Sequence, residues 1–214
     1  MKKRYYKNFL FWIKDFSNAK HMQIQKISIL SELKFFVFCI FLFLISYIFD
    51  KQVYLFFKNV KFVFFDLTLS VITNFGIVVL FILLIPSIMI YIKNKKLVYL
   101  LFLTFIISFL LSFIIKLIVL RHRPTDALTY SLTNIVSYSF PSTHSMVVFS
   151  LLPILLKVLP KQKIFWICFA FLVAFSRIYF SFHFLSDVVF GALFGYFIGN
   201  IFLDLYDNGI LWKK

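Results

Sequence analysis

The sequence predicts an all-α integral membrane bundle of six transmembrane helices, and three observations lead to that prediction. First, 62% of the 214 residues are hydrophobic and only 14% are charged, which leaves too little polar surface to cover a soluble core. Second, apolar stretches recur along the chain, each close to the roughly 20 residues that cross the hydrocarbon core as a helix. Third, short basic turns separate several of these stretches, as is typical of loops between spans.

The elements follow in order along the chain. Residues 1–34 are basic and carry aromatic residues such as Phe9 and Trp12, a pattern that predicts a cytoplasmic segment lying on the membrane surface. Residues 35–214 are predicted to form the six-helix membrane domain, and residues 50–65 a loop along the opposite membrane face. The predicted spans are 33–49, 67–92, 97–120, 142–159, 164–181 and 184–203.

Basic residues orient the predicted bundle. Segments 1–34, 93–96, 157–163 and 213–214 fall on one side and contain 16 of the 23 lysines and arginines. Because the basic side of a membrane protein faces the cytoplasm, both termini are predicted to lie inside a cell (inner) membrane. Basic residues interleaved with spans in this way meet anionic lipid headgroups, so nucleic acid is not an expected partner despite the net charge of +15.

The first of three polar clusters is K-L-I-V-L-R-H-R-P at residues 116–124, the outer end of the third span. Lys116 lies two turns before Arg123, at a depth where a bare ammonium is costly unless it meets an anion. The alternative for Lys116 is an ammonium that extends to the headgroups. Arg121 and His122 are interpreted as interfacial residues.

The second cluster is F-P-S-T-H at residues 140–144, where the fourth span opens. Proline followed by serine and threonine starts a helix well, and the free N–H groups of such a start form a natural phosphate site. Plain N-capping by Ser142 is the alternative. Capping alone does not require His144.

The third cluster is S-R-I-Y-F-S-F-H-F-L-S-D at residues 176–187, between the fifth and sixth spans. On a helix, His183 and Asp187 would share one face, so that the carboxylate holds one ring nitrogen and leaves the other as base or nucleophile. A helix-capping aspartate beside an interfacial histidine is the alternative. All three clusters fall on one predicted membrane face, where they can converge. Cations and N–H donors suit phosphoryl oxygens, and the acidic residues of this face are dispersed, so phosphoryl transfer without a metal is favoured.

The patterns K-x-x-x-x-x-x-R-P, P-S-x-H and S-R-x-x-x-x-x-H-x-x-x-D, in this order over residues 116–187, resemble the type 2 phosphatidic acid phosphatase (PAP2) superfamily of integral membrane lipid phosphatases. The resemblance implies that His183 is the nucleophile forming a phosphohistidine, Asp187 its orienting partner, and His144 the acid for the leaving group. The implied phosphate-binding residues are Lys116, Arg123, Ser142, Thr143 and Arg177. Thr143 stands where the family usually has glycine; it keeps the backbone N–H but adds bulk.

The predicted function is removal of phosphate from a lipid phosphate or diphosphate headgroup on the extracytoplasmic face, with no metal and no cofactor. Its partners would be the lipid substrate and the surrounding membrane lipids. A lipid-to-lipid phosphotransferase using the same site, and a non-enzymatic membrane protein that binds anionic lipid, are the alternatives. Phosphatidylglycerol phosphate, undecaprenyl diphosphate, phosphatidic acid and a lipid A phosphate all fit as substrates.

Overall fold

A computed structural model of the chain describes residues 19–60, 62–92, 94–124 and 138–212, with only the backbone of residues 19–33 and 35. The chain divides into two compact units, residues 1–42 and 43–214, and the first helix contributes to both. The helices are α1 (Ala19–Asn59), α2 (Val63–Ile72), α3 (Phe75–Tyr91), α4 (Lys95–Val119), α5 (Thr143–Val158), α6 (Lys163–Tyr179) and α7 (Leu185–Asp207). Most of the predicted interfacial segment, the tail at 213–214 and most of the loop after Pro124 lie outside the described residues.

The described residues form helices and no strands, which confirms the all-α prediction. Four helical stretches are long and apolar enough to cross a membrane: Phe36–Asn59, Lys95–Val119, Pro160–Tyr179 and Leu185–Asp207. A fifth is added if α2 and α3 together make one bent span. Helix α5, the predicted fourth span, has 16 residues and is shorter than a typical spanning helix. Six spans and the orientation of the termini stay predictions.

Two predictions about the helices are wrong, and the first concerns the end of α1. Residues 50–59, predicted to belong to a loop, continue α1 as far as Asn59. They contain neither glycine nor proline, and Asp50 is buried against other helices rather than exposed, so nothing ends the helix there.

The predicted span 67–92 is not one straight helix, because α2 and α3 meet at an angle of 61°. Asn74 causes the break: its side chain accepts hydrogen bonds from the backbone N–H groups of Gly76 (3.0 Å) and Ile77 (3.3 Å) and thereby caps α3. Further along α3, a π-helical turn at Leu80–Leu84 precedes Pro86, which lacks the N–H that a regular turn needs.

Helix α5 lies at the centre of the packed core. Every residue from Ser145 to Leu155 is buried. Its closest neighbour is α7, which presents Gly191, Gly195 and Gly199 to it. A Cβ added at Gly195 would overlap the carbonyl oxygen of Met146. Small residues at this face therefore allow the close backbone approach that is typical of packed membrane helices.

The connection from α4 to α5 brings the first two polar clusters together. Helix α4 ends at Val119, and the next residue, Leu120, adopts a left-handed conformation (φ 51°). The chain then returns beside this turn: the Ser139 N–H donates to the Arg121 carbonyl (2.7 Å), and His122 pairs with Tyr138 in an antiparallel bridge. Residues 138–142 consequently lie against the end of α4 and lead directly into α5.

Candidate active site

A cavity of about 280 Å³ lies at the end of the bundle where α4 ends, α5 begins and α6 turns into α7. Its lining combines an aromatic wall with basic and histidine side chains. The lining residues are Phe75, Phe109, Phe113, Lys116, Arg123, Thr143, His144, Arg177 and His183. The three sequence clusters therefore converge, as their positions on one predicted face required.

His183 lies in the turn between α6 and α7 and is only 4% exposed. Its ring Nδ1 is 2.7 Å from the carbonyl oxygen of Ser139. Because a carbonyl only accepts, Nδ1 carries the ring hydrogen and Nε2 carries the lone pair. Arg123 Nη1 lies 3.3 Å from Nε2, so it is the donor at that nitrogen. The geometry leaves Nε2 as the ring nitrogen that carries a lone pair at the cavity.

The expectation that His183 and Asp187 share a helix face is wrong, since α7 begins at Leu185. Asp187 instead accepts a hydrogen bond from the Phe184 N–H (2.9 Å), which satisfies a free N–H at the start of the helix. Its Oδ2 is 3.7 Å from His183 Nδ1, beyond hydrogen-bond distance. Asp187 thus caps the helix, as the alternative had it, but His183 is buried, and the carbonyl of Ser139 fixes its ring.

Burial lowers the pKa of His183 well below the ordinary 6.5, and the charges of Arg123, Arg177 and Lys116 lower it further. A lowered pKa means that the ring takes up a proton only at more acidic pH. The imidazole is therefore neutral at neutral pH, and its Nε2 lone pair is available.

The charge state of His183 gives a direct test. In protein labelled with ¹⁵N-histidine and held in detergent, the His183 ring should remain mostly neutral at pH 6.5, where an unperturbed histidine is half protonated. Its resonances are assigned by their loss in His183→Gln. A ring that is half protonated or more at this pH would contradict the assignment of a buried, cation-surrounded base.

Arg123 joins the turn of His183 to the end of α4. Its Nη1 donates to the Phe182 carbonyl (2.8 Å) and lies beside His183 Nε2. Burial lowers the pKa of Arg123 to about 10, opposed by the charge of Asp187, so the guanidinium keeps its charge at neutral pH. A cation beside Nε2 is well placed to meet the oxygens of an incoming phosphoryl group.

Lys116 points inward and is only 3% exposed, so the alternative of an ammonium reaching the headgroups is wrong. Its Nζ donates to the carbonyl oxygens of Tyr138 and Pro141, both at 2.8 Å. These bonds anchor residues 138–141, the segment that supplies the Ser139 carbonyl to His183. Lys116 thus lines the cavity and also anchors the segment 138–141, which fixes the histidine ring.

Thr73, in the break between α2 and α3, holds both Arg177 and His144. Arg177 Nη1 donates to the hydroxyl and carbonyl oxygens of Thr73, and the Thr73 backbone also hydrogen-bonds to His144. Among the described residues, Arg177 Nε and His144 Nε2 are buried without a hydrogen-bond partner. Buried polar atoms are normally satisfied, so two such atoms on a cavity wall indicate a polar ligand. Thr73 was not identified from the sequence.

The match to known proteins follows the same residues. The family model of the PAP2 superfamily matches residues 96–210, more than half of the chain. The chain belongs to the PAP2 superfamily. No match was found among curated protein sequences. Within this PAP2 protein, the matched region contains all three clusters and every residue of the predicted site.

Two crystal structures are similar to this PAP2 protein. A transmembrane PAP2-type phosphatidylglycerolphosphate phosphatase from Bacillus subtilis aligns over 82% of this chain and 96% of its own, with a TM-score of 0.65 and 23% identity. LpxE from Aquifex aeolicus aligns over 72% of this chain and 94% of its own, with a TM-score of 0.58 and 24% identity. At these identities the likeness establishes the fold: this is a multi-pass membrane protein with the architecture of PAP2-type phosphatases.

The P-S-x-H cluster of this PAP2 protein divides into two roles. The Ser142 hydroxyl accepts a long bond from the Ser145 N–H (3.5 Å) and one from the Ser145 hydroxyl (3.1 Å), so it caps α5 and does not line the cavity. Thr143 does line the cavity, and its hydroxyl accepts a hydrogen bond from Ser112 (3.1 Å). The extra bulk of Thr143 is therefore held against α4, and the first N–H groups of α5 have no carbonyl of their own helix to meet.

Arg121 makes two ion pairs that its interpretation as an interfacial residue did not include. Its guanidinium bridges Asp187 and Asp50, with 2.7 Å to a carboxylate oxygen of each. Two acidic residues that seemed dispersed along the sequence thus meet at one arginine. Within the described part of the chain, no group of three or more histidine, cysteine or acidic side chains is arranged to hold a metal ion.

Proposed function

We propose that this PAP2 protein is a lipid phosphatase that removes a phosphate from a lipid phosphate or diphosphate headgroup through a phosphohistidine. The observation that carries the proposal is His183: its Nδ1 is engaged by the Ser139 carbonyl while its Nε2 is a neutral nucleophile at a cavity lined by cations. The aromatic wall of Phe75, Phe109 and Phe113 supports a substrate whose phosphate continues into an apolar chain.

In the first step, His183 Nε2 attacks phosphorus, the P–N bond forms and the bond from phosphorus to the lipid oxygen breaks. Arg123 moves from Nε2 to the phosphoryl oxygens, joined by Arg177 Nε and by the first N–H groups of α5. His144, protonated on Nε2 in the complex with the anionic substrate, donates that proton to the leaving oxygen. The phosphorylated ring is cationic, and the Asp187 carboxylate at 3.7 Å stabilises that charge.

In the second step, water attacks phosphorus, the P–N bond breaks and His183 returns to its neutral form. His144, now deprotonated, takes the proton of the attacking water. Both steps consist of positioning and charge stabilisation by this chain's own residues, so we propose that no metal takes part. Because the clusters lie at the end of the bundle, near headgroup level, water reaches phosphorus more readily than a second lipid does, which favours hydrolysis over phosphotransfer.

The proposed orientation places the cavity on the extracytoplasmic face of a cell membrane, with six spans, cytoplasmic termini and residues 1–34 on the cytoplasmic surface. Described basic residues at the opposite end of the bundle support it: Lys95 and Lys96 begin α4, Lys157 lies in the last turn of α5, Lys161 follows it, and Lys163 begins α6. An excess of lysine in short loops marks the cytoplasmic side.

The function is tested by incubating purified protein in detergent with ³²P-labelled lipids and excess EDTA. The panel contains phosphatidylglycerol phosphate, undecaprenyl diphosphate, phosphatidic acid and a lipid A phosphate, together with unlabelled membrane lipids as acceptors. At least one substrate should yield label as inorganic phosphate. Label moving mainly into a second lipid would show that the protein is a transferase and not a hydrolase. Activity that is lost in EDTA and restored by magnesium would overturn the metal-free chemistry.

The same assay determines the membrane face. Right-side-out vesicles should hydrolyse a short-chain, water-soluble lipid phosphate without permeabilisation, because the proposed cavity opens outward. Inside-out vesicles serve as the matched control and should require permeabilisation. The reverse result would place the cavity on the cytoplasmic side.

A further inference from the structure

Asp50 is a buried carboxylate in a helix that the three sequence clusters do not include. It lies in α1 and is 6% exposed, in surroundings where an isolated carboxylate is expensive. Its oxygens accept hydrogen bonds from the Ser186 N–H (2.8 Å), from the Ser186 hydroxyl (2.6 Å) and from Arg121 (2.7 Å). Asp50 therefore ties α1 to the start of α7, next to the catalytic turn.

Arg121 joins Asp50 to Asp187 with its planar fork. Nη2 donates to Asp50, while Nη1 donates to Asp187 Oδ1 and to the Ser186 hydroxyl, each at 2.7 Å. The guanidinium also stacks on the Phe184 ring, 4.1 Å from its centroid. Arg121 does not line the cavity, in contrast to Arg123 two residues on. Its position fits a role toward other side chains and not toward substrate.

Asp187 is fixed at both of its oxygens. Oδ1 is held by Arg121, and Oδ2 accepts from the Phe184 N–H while it faces His183 Nδ1 at 3.7 Å. Oδ2 makes no hydrogen bond to the ring, so its distance from His183 is set by the groups that hold the carboxylate: the Phe184 N–H, the Ser139 side chain and the Arg121 guanidinium. Of these three, the guanidinium is the one that Asp50 holds in place.

We propose that Asp50 and Arg121 are positioning residues that hold the Asp187 carboxylate beside His183, so that α1 belongs to the catalytic apparatus. The inference rests on the proposed phosphohistidine chemistry, in which His183 becomes cationic. A carboxylate held at 3.7 Å stabilises that cation in the phosphorylated state and contributes little to binding the neutral resting site. Loss of the relay should lower the rate of the chemical step and leave substrate binding nearly unchanged.

The main test compares Asp50→Asn with Asp66→Asn. Asp66 is a matched control, a carboxylate on α2 that accepts a hydrogen bond from Tyr179 (2.8 Å) and is not a partner of Arg121. Asp50→Asn should lower kcat about 10- to 100-fold, the range seen when outer partners of metal ligands are lost, with KM within about twofold of wild type because the relay acts on the cationic state of His183 and not on substrate binding. Asp66→Asn should leave kcat unchanged. Equal kcat for the two variants, or a higher KM alone for Asp50→Asn, would overturn the inference.

Two substitutions at Arg121 separate positioning from folding. Arg121→Lys keeps the charge but cannot bind both carboxylates as a fork, whereas Arg121→Gln removes the charge. The expected order of kcat is wild type, then Arg121→Lys, then Arg121→Gln. Wild-type kcat in Arg121→Lys would contradict the fork. If Arg121→Gln fails to fold, Asp50→Asn and Arg121→Lys decide.

A readout without turnover keeps this inference distinct from the proposed function. If wild-type protein releases phosphate from none of the lipids, the proposed function fails. In that case ¹⁵N-histidine spectra still test the relay, because Asp50→Asn should shift the His183 ring resonances and Asp66→Asn should not. Unchanged His183 resonances in Asp50→Asn would overturn the inference.

Discussion

Replacing His183 with glutamine should abolish phosphate release, with a loss on the order of 10⁴-fold or more, as follows when a covalent nucleophile is removed. Glutamine retains an amide that can donate to the Ser139 carbonyl, so the turn between α6 and α7 should keep its shape. It has no nitrogen lone pair able to attack phosphorus. Phosphate release from the best lipid of the panel measures the loss, and acid quenching of the ³²P reaction should trap an acid-labile phosphoenzyme in wild type only.

The matched control is His122→Gln, the same substitution at an exposed histidine that does not line the cavity. It should retain wild-type phosphate release and wild-type phosphoenzyme. Full activity in His183→Gln would eliminate the phosphohistidine mechanism. It would favour the alternative of a membrane protein that binds anionic lipid. Loss of activity in both variants alike would show that histidine substitution near the α4 end acts through the fold.

Gly195→Ala should strongly destabilise the protein although it adds only one methyl group. The new Cβ would overlap the Met146 carbonyl oxygen of α5, and a backbone atom cannot move aside as the end of a side chain can. The α5 and α7 helices would have to separate along a face that includes Gly191 and Gly199. Overpacking of this kind costs about 1–3 kcal/mol, or more where backbone must shift. Thermal unfolding in detergent measures the loss.

Gly76→Ala is the matched control for this substitution. Gly76 lies in the first turn of α3 at an exposed position, where a Cβ would meet only the Asn74 side-chain oxygen at 3.3 Å. Alanine also has the higher helix propensity. The midpoint of unfolding should therefore stay the same or rise in Gly76→Ala and fall in Gly195→Ala. Equal midpoints for the two variants would refute the close packing of α5 on α7.

The sequence by itself determined the helical membrane class and the chemistry of the cavity. Apolar run length and composition depend only on neighbouring residues, so they predicted α4 and α7 well. The residue types of the three clusters predicted a cationic site with paired histidines. Of the predicted site residues, Lys116, Arg123, Thr143, His144, Arg177 and His183 line one cavity.

Only the tertiary structure decided how those side chains are held. The ring of His183 is fixed by the Ser139 carbonyl, 44 positions away in the sequence, and Arg121 pairs with Asp50, 71 positions away. Every residue has a backbone carbonyl, so the sequence does not indicate which carbonyl binds the ring. A lone aspartate in an apolar run likewise does not indicate its partner. Such contacts depend on which helix ends meet in space, and long-range packing of α1, α4, α5 and α7 sets that.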